Sequence, residues 1–371
     1  MVAATLEEIR RRLRWFADKE TATASPLYSH LAGHAAADDE VAGLLAATDD
    51  GSAYPTLLFA AVHRVLATEP FHELINYYPS LGGSYGPDAA LWPIWRRFVV
   101  ERAARVRDLV ATRITQTNEV GRAASLYPAV ALAARQARAP VGLLEVGASA
   151  GLLLGLDTYG YRYQTEQAGQ LVAGPTRATV GLHCALALAP GATLPKIPKK
   201  IPVAAKVGLD RYPVDLADEE EYAWLEACIW ADQPERQRTF SAAAAAQRKA
   251  PPDLVAGDAV ADLAAAAARI PAEVPLVVLS SHMLYLLGAD GRAAFHAELA
   301  AIAAARPLWW VSKEDYHVGI EPLLPGRADL RPTDDEPAFS VLALIRWADG
   351  VPATTVLART AAHGQRMEWL A

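Results

Sequence analysis

The stretch LLEVGASAGLLLGLD, Leu143 to Asp157, decides how the chain is read. An apolar run carrying Glu145 passes through Gly147, Ala148, Ser149, Ala150 and Gly151, then turns apolar again. It is either a ligand-binding turn between a strand and a helix or a core strand followed by a tight bend. Small residues let a backbone approach a ligand closely, and a following helix offers unpaired N–H groups. In an open parallel sheet, ligands sit beyond the carboxyl ends of the strands, where strand order reverses. The spacing E-x-G-x-x-x-G suits such a turn. It is not the G-x-G-x-x-G of dinucleotide enzymes, so a nicotinamide cofactor matches poorly.

On either side of Pro140 the texture differs. Residues 1–139 read as helical: LEEIRRRLRWFADKE puts Leu6, Ile9, Leu13 and Phe16 on one face, and TLLFAAVHRVLA repeats the period. After Pro140, short apolar runs (PVGLLEVG, IPVAAKVGLD, PDLVAGD, VPLVVLSSH, RPLWWVSKED) alternate with helical stretches. Buried strands with helical crossovers make a parallel α/β sheet. The tail AFSVLALIRWADGVPATTVLARTAAHG leaves no room for a helix at ADGVPA and reads as an antiparallel hairpin. The expected fold is α/β: a Rossmann-like class I methyltransferase sheet, parallel strands closed by a C-terminal antiparallel hairpin. An all-helical N-terminal domain over 1–139, acting as a substrate cap, precedes an α/β domain over 140–371. The latter carries an insertion over 160–205, in which PKIPKKIP forms an exposed loop.

Composition narrows the function. A formal charge of −7 and a pI near 5.8 argue against a nucleic-acid partner, which needs a basic face. The N-terminal stretch has no apolar signal core, and the Ala-rich runs are too short and too charged at their flanks to span a membrane. A cytoplasmic protein with a small-molecule substrate is expected. Cys184 and Cys228 lack zinc-site spacing and read as buried thiols. No G-x-S-x-G, H-E-x-x-H or P-loop sequence occurs.

RITQTNEVGRAASLYPAV, EVGASAGL, GLDRYPVDLADEEEYAWLEACIWADQPER and WVSKED resemble a bacterial family of unknown function with a methyltransferase-like fold. The resemblance runs over nearly the whole chain, and TQTNEVGR with EVGASAGL is its most specific part. It implies the fold. The chain departs from the family's form after the glycines, where Leu153 and the triplet Asp157–Tyr159 stand in place of an Asn and a DRY-like triplet.

For a methyltransferase, E-x-G-x-x-x-G is a first motif and S-adenosylmethionine the cofactor. Glu145, Gly147, Ser149 and Gly151 would form its turn, Asp210 at the end of VGLD would accept its ribose hydroxyls, and Asp258 at the end of LVAGD would meet its adenine. Acids at strand ends are also ordinary helix caps. In RITQTNEVGR, helical spacing would align Thr115, Asn118, Glu119 and Arg122 on one face. Such a stripe can hold a polar ligand and move a proton, or merely pair its own charges. Glu119, Arg122 and His282 (which follows the fourth parallel run) are the catalytic candidates. Arg113, Gln116, Asn118 and Tyr78 are candidates for holding substrate, in a pocket closed by the helical cap.

The reading is therefore an S-adenosylmethionine-dependent methyltransferase-like enzyme acting on a small molecule. The alternative keeps the fold without methyl transfer: cyclisation of, or elimination from, an activated metabolite in a biosynthetic pathway, for example strained nitrogen-ring formation. The departures after the glycines motivate it. A non-catalytic binding module is the third class.

Overall fold

The structure, a computed structural model, describes residues 4–48, 53–333, 336–348 and 350–371. In chain order, helices α1 (Leu6–Trp15), α2 (Pro26–Ala35), α3 (Asp39–Ala42), α4 (Pro55–Leu66), α5 (Leu91–Glu101), α6 (Ala103–Thr112) and α7 (Ala123–Ala137) come first. Strands β1 (Val141–Val146), β2 (Gly160–Thr165), β3 (Gly169–Ala173), β4 (Gly181–Leu188) and β5 (Val203–Asp210) follow. Then come α8 (Glu219–Ala227), α9 (Pro234–Lys249), β6 (Asp253–Ala256), α10 (Leu263–Ala267), β7 (Leu276–Ser281), α11 (Gly288–Ala305), β8 (Leu308–Glu314) and α12 (Tyr316–Gly319). The chain closes with β9 (Ser340–Ala348), β10 (Val351–Thr360) and β11 (Arg366–Trp369).

Two compact units result. One holds the described residues of Met1–Thr117 together with Ala217–Ser241; the other holds Asn118–Leu216 with Ala242–Ala371. Compactness thus divides the chain elsewhere than the change of texture at Pro140. Helix α7 belongs with the sheet, and 217–241 belongs with the helices.

The helical unit has no strand among its described residues. Ile9, Leu13 and Phe16 are buried, as the period of α1 requires, but Leu6, the first residue of the helix, is 38% exposed. Ser25 caps α2, accepting from the Tyr28 N–H at 3.1 Å and donating to Asp232 at 2.8 Å, so the acid of a distant segment fixes the cap. His63 is a satisfied core histidine: Nδ1 lies 3.1 Å from the Ala227 carbonyl and Nε2 2.9 Å from Ser80 Oγ. Burial lowers its pKa to about 4.

The second unit is built on a sheet of eleven strands among the described residues, in the order β3-β2-β4-β11-β10-β9-β8-β7-β1-β5-β6. From β6 through β5, β1 and β7 to β8 the pairing is parallel. Numbered along the chain, these five strands run 3-2-1-4-5, so the order reverses between β1 and β7. β1, β7 and β8 are buried almost throughout, which is why they read as continuous apolar runs. β9 and β10 form the expected antiparallel hairpin. Asp349 of its ADGVPA turn lies outside the described residues, as do Met1–Ala3 of the N-terminal stretch.

Two features correct the sequence reading. The hairpin is not the sheet's edge, because β11 pairs with β10 and continues into β4. The 160–205 insertion supplies β2, β3 and β4, strands that the sequence reading did not assign, and they extend the sheet beyond the hairpin. The PKIPKKIP segment between β4 and β5 carries no regular structure and is largely exposed.

Helix α7 packs on β4, β8 and β9 and contains Pro128 in its interior. A proline cannot donate to the carbonyl four residues earlier, here that of Ala124. Tyr163, on β2, donates its hydroxyl to that carbonyl at 2.8 Å. The inserted strand thus satisfies the acceptor that the helix leaves open.

Candidate functional site

At the carboxyl end of β1 the chain makes the turn Gly147–Gly151, with Gly147, Ser149 and Gly151 all left-handed at φ of 76°, 49° and 69°. Every backbone N–H of the turn has an acceptor within the unit. Gly147 and Ala148 donate to the Leu209 carbonyl at 2.8 and 3.2 Å, and Gly151 donates to Ala148 at 2.7 Å. Ser149 donates to Asp210 Oδ2 at 2.7 Å, and Ala150 to Asn118 Oδ1 at 3.3 Å. A Cβ at Gly147 would meet Met283 at 2.9 Å and one at Gly151 would meet Pro252 at 2.9 Å. The glycines therefore thin the turn against the protein's own side chains. No N–H remains for an anion, so this is not a phosphate cradle.

What the turn leaves over are acceptors. Asp210 accepts from Ser149 and, at 2.8 Å, from the Tyr212 N–H, which uses two of about four lone-pair positions of a carboxylate. Glu145 is buried with Oε2 lacking any hydrogen-bond partner. Burial, reinforced by Asp210, pushes its pKa well above the usual carboxylate range. Asp258 is more fully used. Its Oδ1 accepts from Val260 and Ala261 at 2.9 and 3.1 Å, and its Oδ2 from Arg211 at 2.9 Å. These bonds lower its pKa and make it the closure of the turn ahead of α10.

The RITQTNEVGR stretch is not helical. Residues 113–119 carry no regular structure and only Val120–Arg122 form a 3₁₀ turn, so the helical spacing does not apply. Glu119 instead caps that turn, accepting from the Gly121 N–H at 3.1 Å. Asn118 sits on the glycine turn, donating to Ser149 Oγ at 2.9 Å while accepting from Ala150. Arg113 and Gln116 fall in the helical unit. Arg113 pairs with Glu221 and lies 5.8 Å over the Trp224 ring, and the Gln116 backbone meets the Cys228 thiol. Tyr78 is likewise no loop residue facing a substrate. It is wholly buried in the helical core, its hydroxyl accepting from Trp95 Nε1 at 3.0 Å, because its ring fills core volume.

Around Arg122, the ends of β7 and β8 and the loop between β10 and β11 build a charged cluster. Arg122 donates to the carbonyls of Ser281 and Ala362, each at 3.2 Å. His363 Nδ1 stands 2.8 Å from Glu119 Oε2, an ion-pair distance without hydrogen-bond alignment. The loop can come so near because two glycines face each other. A Cβ at Gly364 would lie 2.1 Å from the Gly121 carbonyl oxygen, and one at Gly121 would lie 2.4 Å from that of His363. The glycine of TNEVGR is thus required by a backbone crossing.

His282 is left-handed, with φ of 54°, a conformation that costs about 1–3 kcal/mol in a non-glycine residue. The turn brings its Nε2 to 3.0 Å from both Lys313 Nζ and Ser340 Oγ. Burial, Lys313, Arg122 and His363 lower the imidazole pKa to about 2, so the ring is neutral and its Nε2 is shared between the two. Lys313 is wholly buried, and burial and Arg122 bring its pKa down to about 7 against the opposing pull of Glu314, Asp315 and Glu119. Its second neighbour is the Ala362 carbonyl at 3.4 Å. Glu314, raised by burial to about 7, accepts from the Met283 N–H at 3.1 Å.

Lys313 is the candidate residue that the sequence reading passed over. The signal was present, a lysine inside the buried run LWWVSKE of β8. Ser281 Oγ, at the end of β7, is a further buried polar atom without a partner. Both cysteines are held near 12 by burial. Among the described residues no group of three or more His, Cys, Asp or Glu is arranged to hold a metal, and no helix is long and apolar enough to cross a membrane.

The chain belongs to the bacterial family described as "Uncharacterized protein conserved in bacteria (DUF2332)", which it matches over residues 10–369. No curated protein and no solved structure matches it.

Proposed function

We propose that the chain is an enzyme in which Lys313 takes a proton from a small-molecule nucleophile at the carboxyl edge of the sheet, and that the group received in exchange is the methyl of S-adenosylmethionine. The observation that carries the proposal is Lys313 itself. A buried amine with a pKa near 7 is part neutral at neutral pH, the state a general base needs. Neutral His282 orients the amine, and the Arg122 guanidinium disfavours its protonated form.

The methyltransferase-like reading of the fold rests on the 3-2-1-4-5 order and on the turn at its reversal. The turn's chemistry supports an adenosyl ligand rather than a nucleotide phosphate, because its donors are used and its spare groups are acceptors. Asp210 would take the ribose hydroxyls. Asp258 has less capacity left. Bound there, S-adenosylmethionine would supply an electrophilic carbon on a cationic sulfur. Isothermal titration with S-adenosylmethionine and its demethylated product, alongside Asp210→Asn, tests this. Absence of heat and of a thermal shift at millimolar ligand sinks the cofactor assignment.

A second reading retains Lys313 as the base and replaces methyl transfer with cyclisation or elimination. It is favoured by Asn118, which already covers the Ser149 hydroxyl and the Ala150 N–H. Mass spectrometry of the product separates the two readings: a gain of one methyl group supports the first.

A further inference from the structure

At the opposite end of the sheet, where β1 and β5 begin side by side (Val141 opposite Val203), a groove of about 550 Å³ opens between the last turns of α7 and the loop ahead of β5. Its floor is apolar, formed by side chains such as Ala131, Ala134 and Ile197. Its charged lining is all of one sign: Arg135 and Arg138 from α7 and its cap, Lys196 and Lys200 from the loop, with no acid. All four are exposed, and none is within ion-pair distance of a carboxylate among the described residues. The chain as a whole carries −7, so this concentration of positive charge runs against its composition.

Part of the cluster has a structural explanation. Arg135 and Arg138 stand at the negative end of the α7 dipole, where cations are favoured. Lys196 and Lys200 have no such reason. They arrive from a loop some sixty residues later, which is held on α7 by the Tyr127 hydroxyl donating to the Pro198 carbonyl at 3.0 Å. Prolines 195, 198 and 202 stiffen that loop, which reduces the entropy lost on binding.

We infer that this groove binds a small amphiphilic anion, an apolar body bearing a carboxylate or phosphate, at a site separate from the carboxyl-edge cluster. Its size and apolar lining match small-ligand pockets, and its convergent cations provide the polar recognition such pockets need. An anion without an apolar body would gain little from the floor, and an uncharged body would gain nothing from the rim.

The probe is 8-anilino-1-naphthalenesulfonate, followed by fluorescence on the full chain, with decanoate, decanol and inorganic phosphate as competitors. Single-site binding is expected, displaced by decanoate at a concentration at least tenfold below that of decanol or phosphate. Raising salt weakens it. Lys196→Ala with Lys200→Ala should weaken dye and decanoate at least tenfold, and adding Arg135→Ala and Arg138→Gly should abolish binding. Glycine is chosen at 138 because that residue is left-handed, with φ of 55°. The Lys196→Ala, Lys200→Ala pair should leave the melting temperature as in the parent, and all four changes should leave any S-adenosylmethionine titration as in the parent, which keeps this site distinct from the first. Unchanged dye affinity in the fourfold variant, or equal competition by decanol or phosphate, overturns the inference.

Discussion

Lys313 Nζ lies 3.0 Å from His282 Nε2, so a buried amine on β8 is held by an imidazole whose own pKa is driven down to about 2. The pairing has a consequence for stability. In the unfolded chain a lysine stays protonated to about pH 10.4, whereas Lys313 in the fold releases its proton near 7. Between pH 7 and 8.5 the unfolded state therefore binds more protons, and the stability contributed by this group rises with pH, at about 0.7 kcal/mol per unit at pH 7 and approaching about 1.4 by pH 8.5. More than a unit below 7 both states are protonated and the slope vanishes. Melting temperatures of the parent and Lys313→Met, measured across pH 7–8.5, should diverge in slope. Parallel curves would remove Lys313 as the titrating group.

Glu119 and Arg122 act on Lys313 with opposite signs, the carboxylate raising its pKa and the guanidinium lowering it. Glu119→Gln keeps the cap on Gly121 but removes the charge, so the Lys313 midpoint should fall by roughly half a pH unit. Arg122→Met should raise it. Nitrogen-15 NMR of the lysine side chains reads both without a substrate. Movement in the same direction for the two variants contradicts the cluster as described.

Gly364 should be among the least replaceable residues of the sheet unit. Gly364→Ala combines a left-handed φ of 77° with a Cβ 2.1 Å from the Gly121 oxygen. Gly191→Ala is the control, since its φ is 81° but nothing lies within 4 Å. The control should cost about 1 kcal/mol, and Gly364→Ala at least 2 kcal/mol more, in urea unfolding. Equal costs would mean that the two loops do not cross as closely as this.

Tyr163→Phe should cost about 1–3 kcal/mol, because it leaves the buried Ala124 carbonyl without a donor. In a Pro128→Ala background the helix regains its own N–H for that carbonyl, and the same change should cost clearly less. A double-mutant cycle measures the difference. Additive effects would show that the tyrosine does not stand in for the missing helical bond.

Much of the sheet was written into the sequence. Buried parallel strands must be apolar throughout, so β1, β7 and β8 are legible as runs, while the half-buried β5 and β6 and the β9–β10 hairpin are legible from shorter apolar runs bounded by Pro, Gly and acids. The left-handed turn after β1 was legible too, from the spacing of Gly147 and Gly151. What local pattern cannot carry is which strands become neighbours. β2 and β4 alternate exposed and buried residues like any half-covered strands, β3 is mostly exposed, and nothing local in them says that they join the sheet beyond a hairpin formed roughly 150–180 residues later.

The site divides the same way. Glu119, Arg122 and His282 stand out in sequence because polar residues interrupt apolar surroundings. Their geometry was decided by tertiary structure alone: residues 113–119 take no helix, with Asn118 spending its side chain on the distant glycine turn and Glu119 spending its own on the Gly121 N–H rather than on a helical face. A lysine at position 313 is an ordinary charge in a sequence. It becomes a base near pH 7 only when β7, β8 and the β10–β11 loop close around it, because desolvation and the field of Arg122 are properties of the folded surroundings and not of the residue.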